Sequence, residues 1–232
     1  MEESSYEGRQ DQIRAWKTPQ IEVFSNIYSD LTSNGPASCG LFAATSGYAV
    51  IQDLKLDSPV CLADGVAGNL IGVGSGSNTI TNTHVTNGVV GGDLSLAGGG
   101  MIGIAQSNES EYPGMFTVQK SSFTGSINAH NPMYIGGFAG SIIGDIDVQN
   151  NYSNAQVTTD AATAAGGFAG TLAMADGATL KNNYGAGSIN IVSSDPNLNP
   201  AELYGIIPDT ASLMGGFTAA TVGIETADYT MS

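Results

Sequence analysis

Basic residues are scarce in this chain of 232 residues. Lys and Arg number 6 against 21 Asp and Glu residues, so the formal net charge is −15. With so few cations the surface cannot neutralise a row of phosphates, and we expect no nucleic-acid partner. The same charge disfavours an anionic membrane surface. No apolar run reaches the 18 or so residues of a membrane-spanning helix, and the polar first 14 residues contain no secretory signal.

Cysteine and histidine are also rare, with two of each. The chain has no CxxC, HxH or HExxH motif, so we expect neither a transition metal nor another cofactor. Cys39 and Cys61 could meet at one corner of a closed coil and form a disulfide, which would suit an oxidising compartment. The alternative is two small buried thiols.

Charged residues make up only 12% of the chain, whereas 32 residues are glycine and 41% are hydrophobic. The hydrophobic residues supply a core, and many of them are β-branched. No long window shows apolar residues at helical spacing. The composition therefore predicts an all-β protein with many tight turns.

An internal repeat is visible in the glycines. The motif Gly-Gly-Phe-Ala-Gly at 136–140 recurs at 166–170, and weaker copies begin at Gly40, Gly68, Gly99 and Gly215. An aliphatic residue follows each of the first five copies, and a second aliphatic residue lies nine positions later. These pairs are Ile51/Val60, Ile80/Val89, Val118/Ile127, Val148/Val157 and Leu180/Ile189.

A period near 30 residues with three short β-like segments indicates one coil of a solenoid. We therefore predict a right-handed parallel β-helix of five to six three-strand coils over residues 39–232. Three inward ladders are expected. The first residues of the aliphatic pairs form the first ladder, and the second residues of the pairs form the second ladder. The third ladder contains Leu41, Leu70, Met101, Phe138, Phe168 and Phe217.

One polar column accompanies the first ladder. Two residues after each of its members lie Asp53, Asn82, Lys120, Asn150 and Asn182. Asn at three of the five levels suggests a partial amide ladder along the stack. An Asn that serves a turn explains the same pattern equally well.

Three segments do not fit the period. Residues 1–38 precede the coils, and the apolar spacing over 12–31 predicts a helical N-terminal cap, as solenoid ends require. A partner-binding helix is the alternative for this segment. The segments 105–115 and 193–212 are interpreted as insertions, which can carry function or be tolerated decoration.

The pattern from Gly136 to Val157, and again from Gly166 to Ile189, resembles the GLUG repeat of bacterial surface proteins. The earlier copies are degenerate, and Lys120–Phe123 lacks the Asn and Tyr of the repeat. The resemblance covers about residues 40 to 192. It implies a β-helix in secreted or surface-attached, often adhesin-like proteins, and it supplies no catalytic residues.

Catalytic constellations are hard to find in the sequence. His84 and His130 fall on different sides of the predicted coil, and no Ser, His and Asp share a predicted column. Asp145 and Asp147, at i and i+2 of a strand, are the best carboxylate pair for a hydrolase and weak candidates for calcium ligands. Their other interpretation is a solvated edge. We therefore expect no catalytic activity.

The functional expectation is a non-catalytic extracellular structural or adhesive module of a bacterial surface or secreted protein. It would bind carbohydrate or protein surfaces through flat polar faces. Its candidate contact residues are Tyr152, Tyr184, Asn151, Asn183, Glu109, Glu111 and Tyr112. The alternatives are a carbohydrate-active enzyme that uses Asp145 and Asp147, and a filament subunit that associates with copies of itself.

Overall fold

A computed structural model describes residues 22–25, 27–31, 37–107, 114–160, 164–175, 177–191, 217–218 and 228–229. This part of the chain is all-β and contains no helix. The strands form a β-solenoid of about five turns, and each turn runs through sheets A, B and C in that order.

Sheet A has eleven strands and forms the longest side of every turn. Its strands are β1 (Glu22–Ser25), β2 (Tyr28–Leu31), β5 (Val50–Asp57), β6 (Val60–Ala63), β9 (Thr79–Gly92), β12 (Phe116–Gln119), β13 (Ser122–Ala129), β16 (Ile146–Gln149), β17 (Tyr152–Thr159), β20 (Thr179–Lys181) and β21 (Tyr184–Ile191).

Sheets B and C have five parallel strands each. Sheet B contains β3 (Ser38–Cys39), β7 (Val66–Gly68), β10 (Ala97–Gly99), β14 (Tyr134–Gly136) and β18 (Ala164–Gly166). Sheet C contains β4 (Phe42–Thr45), β8 (Ile71–Ser75), β11 (Ile102–Gln106), β15 (Ala139–Gly144) and β19 (Ala169–Met174). The remaining strands, β22 (Phe217–Thr218) and β23 (Asp228–Tyr229), pair antiparallel.

The glycine motif is explained by close packing between sheets B and C. A Cβ on Gly140 of sheet C would lie 2.9 Å from the backbone nitrogen of Gly98 in sheet B, and one on Gly170 would lie 2.6 Å from that of Ile135. Only glycine permits two backbones to approach this closely. The turn between the two sheets lies against the inner side of sheet A, since a Cβ on Gly185 would lie 2.7 Å from Gly167. The chain between sheets B and C therefore points toward the inside of the solenoid and lies against sheet A.

The third ladder lies at this inward turn. Leu70, Met101, Phe138 and Phe168 are completely buried, and the Phe138 and Phe168 rings stack with centroids 4.7 Å apart. Leu41 is partly buried and packs on the core. The backbone of Phe217 pairs with Tyr229 instead of continuing sheet C, and its side chain lies outside the described residues.

The first ladder is confirmed. Its members are 8% exposed or less, and Val118 is the register partner of both Ile80 and Val148.

The second ladder is wrong in its first two levels. Val60 and Val89 point partly outward, and the buried residues are Cys61 and Val90. Val90, not Val89, is the partner of Ile127 because β9 carries one extra residue between Val85 and Gly88. A one-residue bulge reverses the alternation of inward and outward side chains, so the offset becomes ten residues in these two turns.

The predicted helical cap is also wrong where the structure describes it. Residues 22–25 and 28–31 are strands, and they pair in parallel with β5 and β6. Pairing supplies partners for the edge of sheet A, which a helix packed on the end would leave unpaired. Residues 12–21 lie outside the described part of the chain.

The two insertions have different outcomes. Ala105 and Gln106 belong to β11 and pair with Ile142 and Ile143, so the first insertion begins later than expected. The second, 193–212, lies outside the described residues.

Cys39 and Cys61 form a disulfide, with their Cα atoms 5.9 Å apart. It joins β3 of sheet B to β6 of sheet A, and both residues are buried. This is the bridged alternative of the two considered from sequence.

We expect Val148→Asp to unfold the protein or to lower its Tm by more than about 10 °C, because an unpaired carboxylate in a dry core costs several kcal/mol. Val148 is 1% exposed. Val50→Asp is the matched control, because Val50 is 60% exposed and should tolerate the same change. Equal melting temperatures in thermal unfolding of the two variants would contradict the inward assignment.

The disulfide should stabilise the fold by about 3 kcal/mol, since it closes a loop of moderate length in the unfolded chain. Urea unfolding of the oxidised protein with and without reductant measures this difference. The double variant Cys39→Ala/Cys61→Ala should be unaffected by reductant. A wild-type midpoint that reductant does not move would contradict the prediction.

Candidate functional site

Two exposed tyrosines stack on the outer side of sheet A. Tyr152 and Tyr184 are the first residues of β17 and β21 and are register partners. They are 37% and 48% exposed, and their rings lie nearly parallel with centroids 5.7 Å apart. Strand alternation turns both side chains outward, since their successors Ser153 and Gly185 are buried. The pair forms an exposed aromatic patch on this side.

We call the outward side chains of residues 50–57, 79–86, 117–124, 147–154 and 179–186 the tyrosine face. Thr, Gln and Asn dominate it. Its charged residues are Asp53, Lys55, Asp57, Lys120, Asp147 and Lys181.

The tyrosine face is electrically balanced, with three lysines against three aspartates. In the rest of the described chain the Asp and Glu residues have no Lys or Arg to offset them. A protein with a formal charge of −15 therefore keeps one face close to neutral.

The polar column of Asp53, Asn82, Lys120, Asn150 and Asn182 lies on this face. It makes turns of the chain and also forms part of an amide ladder, the two alternatives considered from the sequence. All five of its members adopt positive φ, between 49° and 59°, so each makes a left-handed turn. Two side-chain hydrogen bonds donated by Asn amides also link neighbouring turns of the solenoid. Asn82 donates to Asp53 at 2.7 Å, and Asn182 donates to Asn150 at 3.1 Å.

Asn151 and Asn183 are buried and do not contribute to the outer surface. Each is 2% exposed, and the Asn151 side chain donates to the Asn183 carbonyl oxygen at 3.0 Å. Both side chains also donate to backbone carbonyls, those of Val118 and Val148. Burial requires such partners for an amide. The prediction that they are surface contacts is therefore wrong, and they form a buried amide pair one position after the predicted polar column.

Asp145 and Asp147 are engaged separately. The Asp147 carboxylate accepts hydrogen bonds from Gln119 at 2.7 Å and from Gln149 at 2.5 Å. The backbone N–H of Asp145 donates to the Ser107 hydroxyl at 2.6 Å. Among the residues the structure describes, no three His, Cys, Asp or Glu side chains are grouped to hold a metal ion. Glu109, Glu111 and Tyr112 lie outside the described residues.

The structure places His84 next to Ser122, a contact that the sequence argument missed. These residues are register partners in β9 and β13, and the His84 Nδ1 atom lies 2.9 Å from the Ser122 hydroxyl oxygen. The other ring nitrogen, Nε2, lies 3.1 Å from the Asn82 carbonyl oxygen. The signal was available, because His84 and Ser122 each lie four residues after a member of the first ladder.

His130 and Asp160 form an ion pair at a different corner, between sheets A and B. The His130 Nδ1 atom lies 3.0 Å from the Asp160 carboxylate. This hydrogen bond and the Asp160 charge raise the pKa of His130, and Asp93 adds a smaller effect in the same direction. The pKa of Asp160 is lowered, first by the backbone N–H of Asn131 and then by His130.

Comparisons with protein families, with curated proteins and with solved structures find no match for this chain. No helix in the described ranges is long and apolar enough to cross a membrane.

The His130–Asp160 pair predicts a pH-dependent stability. The pKa of His130 is raised on folding, so its contribution is complete below its usual value of about 6.5 and disappears as pH rises through the folded value. The Asp160 contribution disappears in the opposite direction, as pH falls below about 4. We expect wild type to melt slightly above His130→Gln near pH 5.5 and equally at pH 8.5. The effect should be small, because the His130 side chain is 71% exposed. An advantage that grows with pH would contradict the assignment.

Proposed function

We propose that this chain is an extracellular structural and adhesive β-solenoid module that binds carbohydrate through the tyrosine face. The observation that carries the proposal is the exposed, stacked Tyr152–Tyr184 pair on an electrically balanced polar face. Aromatic rings offer a rigid apolar surface at low entropic cost, and the Tyr hydroxyl adds a polar group. The neighbouring Thr, Gln and Asn side chains supply donors and acceptors for hydroxyl groups.

The charge balance decides which ligand is favoured. A neutral face within an acidic protein neither attracts nor repels an uncharged polyhydroxylated chain, whereas an acidic polymer would meet the net negative charge of the whole molecule. Neutral carbohydrate is therefore the preferred ligand. A protein surface is the other outcome that the binding experiment can reveal.

The resemblance to the GLUG repeat supports a secreted or bacterial cell-surface location. The disulfide agrees with it, because such bonds persist in oxidising compartments. We also propose that the solenoid is right-handed, since crossovers between parallel strands of one sheet are right-handed in about 98% of cases.

The test is binding to a glycan array, followed by co-sedimentation with cellulose, chitin and starch. We expect Tyr152→Ala/Tyr184→Ala to weaken binding by at least about tenfold, or about 1.4 kcal/mol, as for central aromatic contacts. Tyr48→Ala is the control, because Tyr48 is 63% exposed but lies outside the tyrosine face. Binding that survives the double change would place the site elsewhere, and failure to bind any glycan would overturn the carbohydrate proposal.

A further inference from the structure

Four side chains on three successive turns form one hydrogen-bonded chain. The Asn82 amide nitrogen donates to Asp53 at 2.7 Å, and the Asn82 carbonyl oxygen lies 3.1 Å from Nε2 of His84. At the other end of the ring, Nδ1 lies 2.9 Å from the Ser122 hydroxyl oxygen. The chain thus runs from a carboxylate through an amide and an imidazole to a hydroxyl.

The direction of every bond in this chain is determined by its first member. A carboxylate only accepts hydrogen bonds, so Asn82 turns its amide nitrogen toward Asp53 and its oxygen toward His84. That oxygen requires a proton on Nε2 of a neutral ring, which leaves the Nδ1 lone pair to accept from Ser122. Burial and the nearby Lys55 charge lower the pKa of His84, so the neutral ring prevails at pH 7.

We propose that Ser122 is a nucleophile activated by His84 and that the chain hydrolyses carboxylic esters at this position. A hydroxyl hydrogen-bonded to a base, which is in turn oriented by a third group, is the arrangement by which nucleophilic hydrolases are recognised. In these roles His84 is the base and Asn82 is a positioning residue. The proposal goes beyond carbohydrate binding and does not depend on it.

The reaction balances with water as the only co-reactant. The Ser122 oxygen attacks the ester carbonyl carbon while its proton passes to Nδ1 of His84. The bond to the alcohol then breaks, and the departing alcohol takes that proton and leaves an acyl-Ser122 ester. Water attacks this ester and gives a proton to Nδ1, and Ser122 takes the proton back as the carboxylic acid leaves.

The neighbours of Ser122 favour an ester with a ring or another apolar group. Ser122 is the register partner of Tyr152, whose ring is 37% exposed and stacks on Tyr184. An exposed aromatic side chain therefore lies on the strand next to the nucleophile, and apolar groups of an ester can pack on it.

Wild-type protein should hydrolyse p-nitrophenyl acetate and react with a fluorophosphonate probe at Ser122. We expect Ser122→Ala and His84→Gln to lower the hydrolysis rate by about a hundredfold, within the range for a positioned general base. The wild-type rate should rise with pH and level off above a pKa lower than the usual value of about 6.5 for histidine.

Ser126→Ala is the matched control, because Ser126 also lies on β13 and is half-buried like Ser122, but it has Gln156 as its register partner. It should retain the wild-type rate. Mass spectrometry of the labelled wild-type protein tests the nucleophile without any variant. Labelling at another serine, no labelling, or a rate that Ser122→Ala leaves unchanged would overturn the proposal. Glycan binding by Ser122→Ala is measured separately, so failure of either proposal is distinguishable from failure of the other.

Discussion

Parallel pairing of each turn with the next, in fixed register, is the constraint on which this structure depends. It places equivalent residues about 4.8 Å apart along the axis, so that every position of the repeat becomes a column. Inward columns become continuous apolar ladders, as in Ile51, Ile80, Val118, Val148 and Leu180. Outward columns become rows of neighbouring surface side chains, one from each turn.

The inward fold of sheets B and C makes this stacking unusually dependent on glycine. The backbones of the two sheets touch where Gly140 meets Gly98 and where Gly170 meets Ile135. A side chain at these points would push the sheets apart and withdraw Phe138 and Phe168 from the core. The same geometry explains why the Gly-Gly-Phe-Ala-Gly motif is the clearest part of the repeat.

Polar groups inside the stack are accommodated by the same register. Asn151 and Asn183 are buried, yet the Asn151 side chain donates to that of Asn183, and each amide also donates to a backbone carbonyl of the preceding turn. On the outer side, the register brings Tyr152 against Tyr184 and His84 against Ser122. The proposed binding face and the proposed nucleophile therefore have the same structural origin. The register places equivalent residues of successive turns side by side, and the residue type at an equivalent position differs from one turn to the next.

The sequence by itself determined the repeat, the all-β class and the first ladder, because an apolar residue that recurs once in every turn forms one inward column when the turns pair in parallel. The outward position of Tyr152 and Tyr184 follows from the same alternation. The proximity of His84 and Ser122 could also have been predicted from the sequence, because each lies four residues after a member of the first ladder.

Only the tertiary structure decided the features that depend on a single residue or on an edge. One extra residue in β9 reverses the alternation and buries Val90 in place of Val89. The apolar spacing around Phe24 and Leu31 suits a helix or a strand equally, and the unpaired edge of β5 and β6 selects the strand. The contact of Cys39 with Cys61 required the path of a whole turn. These outcomes depend on partners distant in sequence, whereas a local pattern records only the preferences of its own residues.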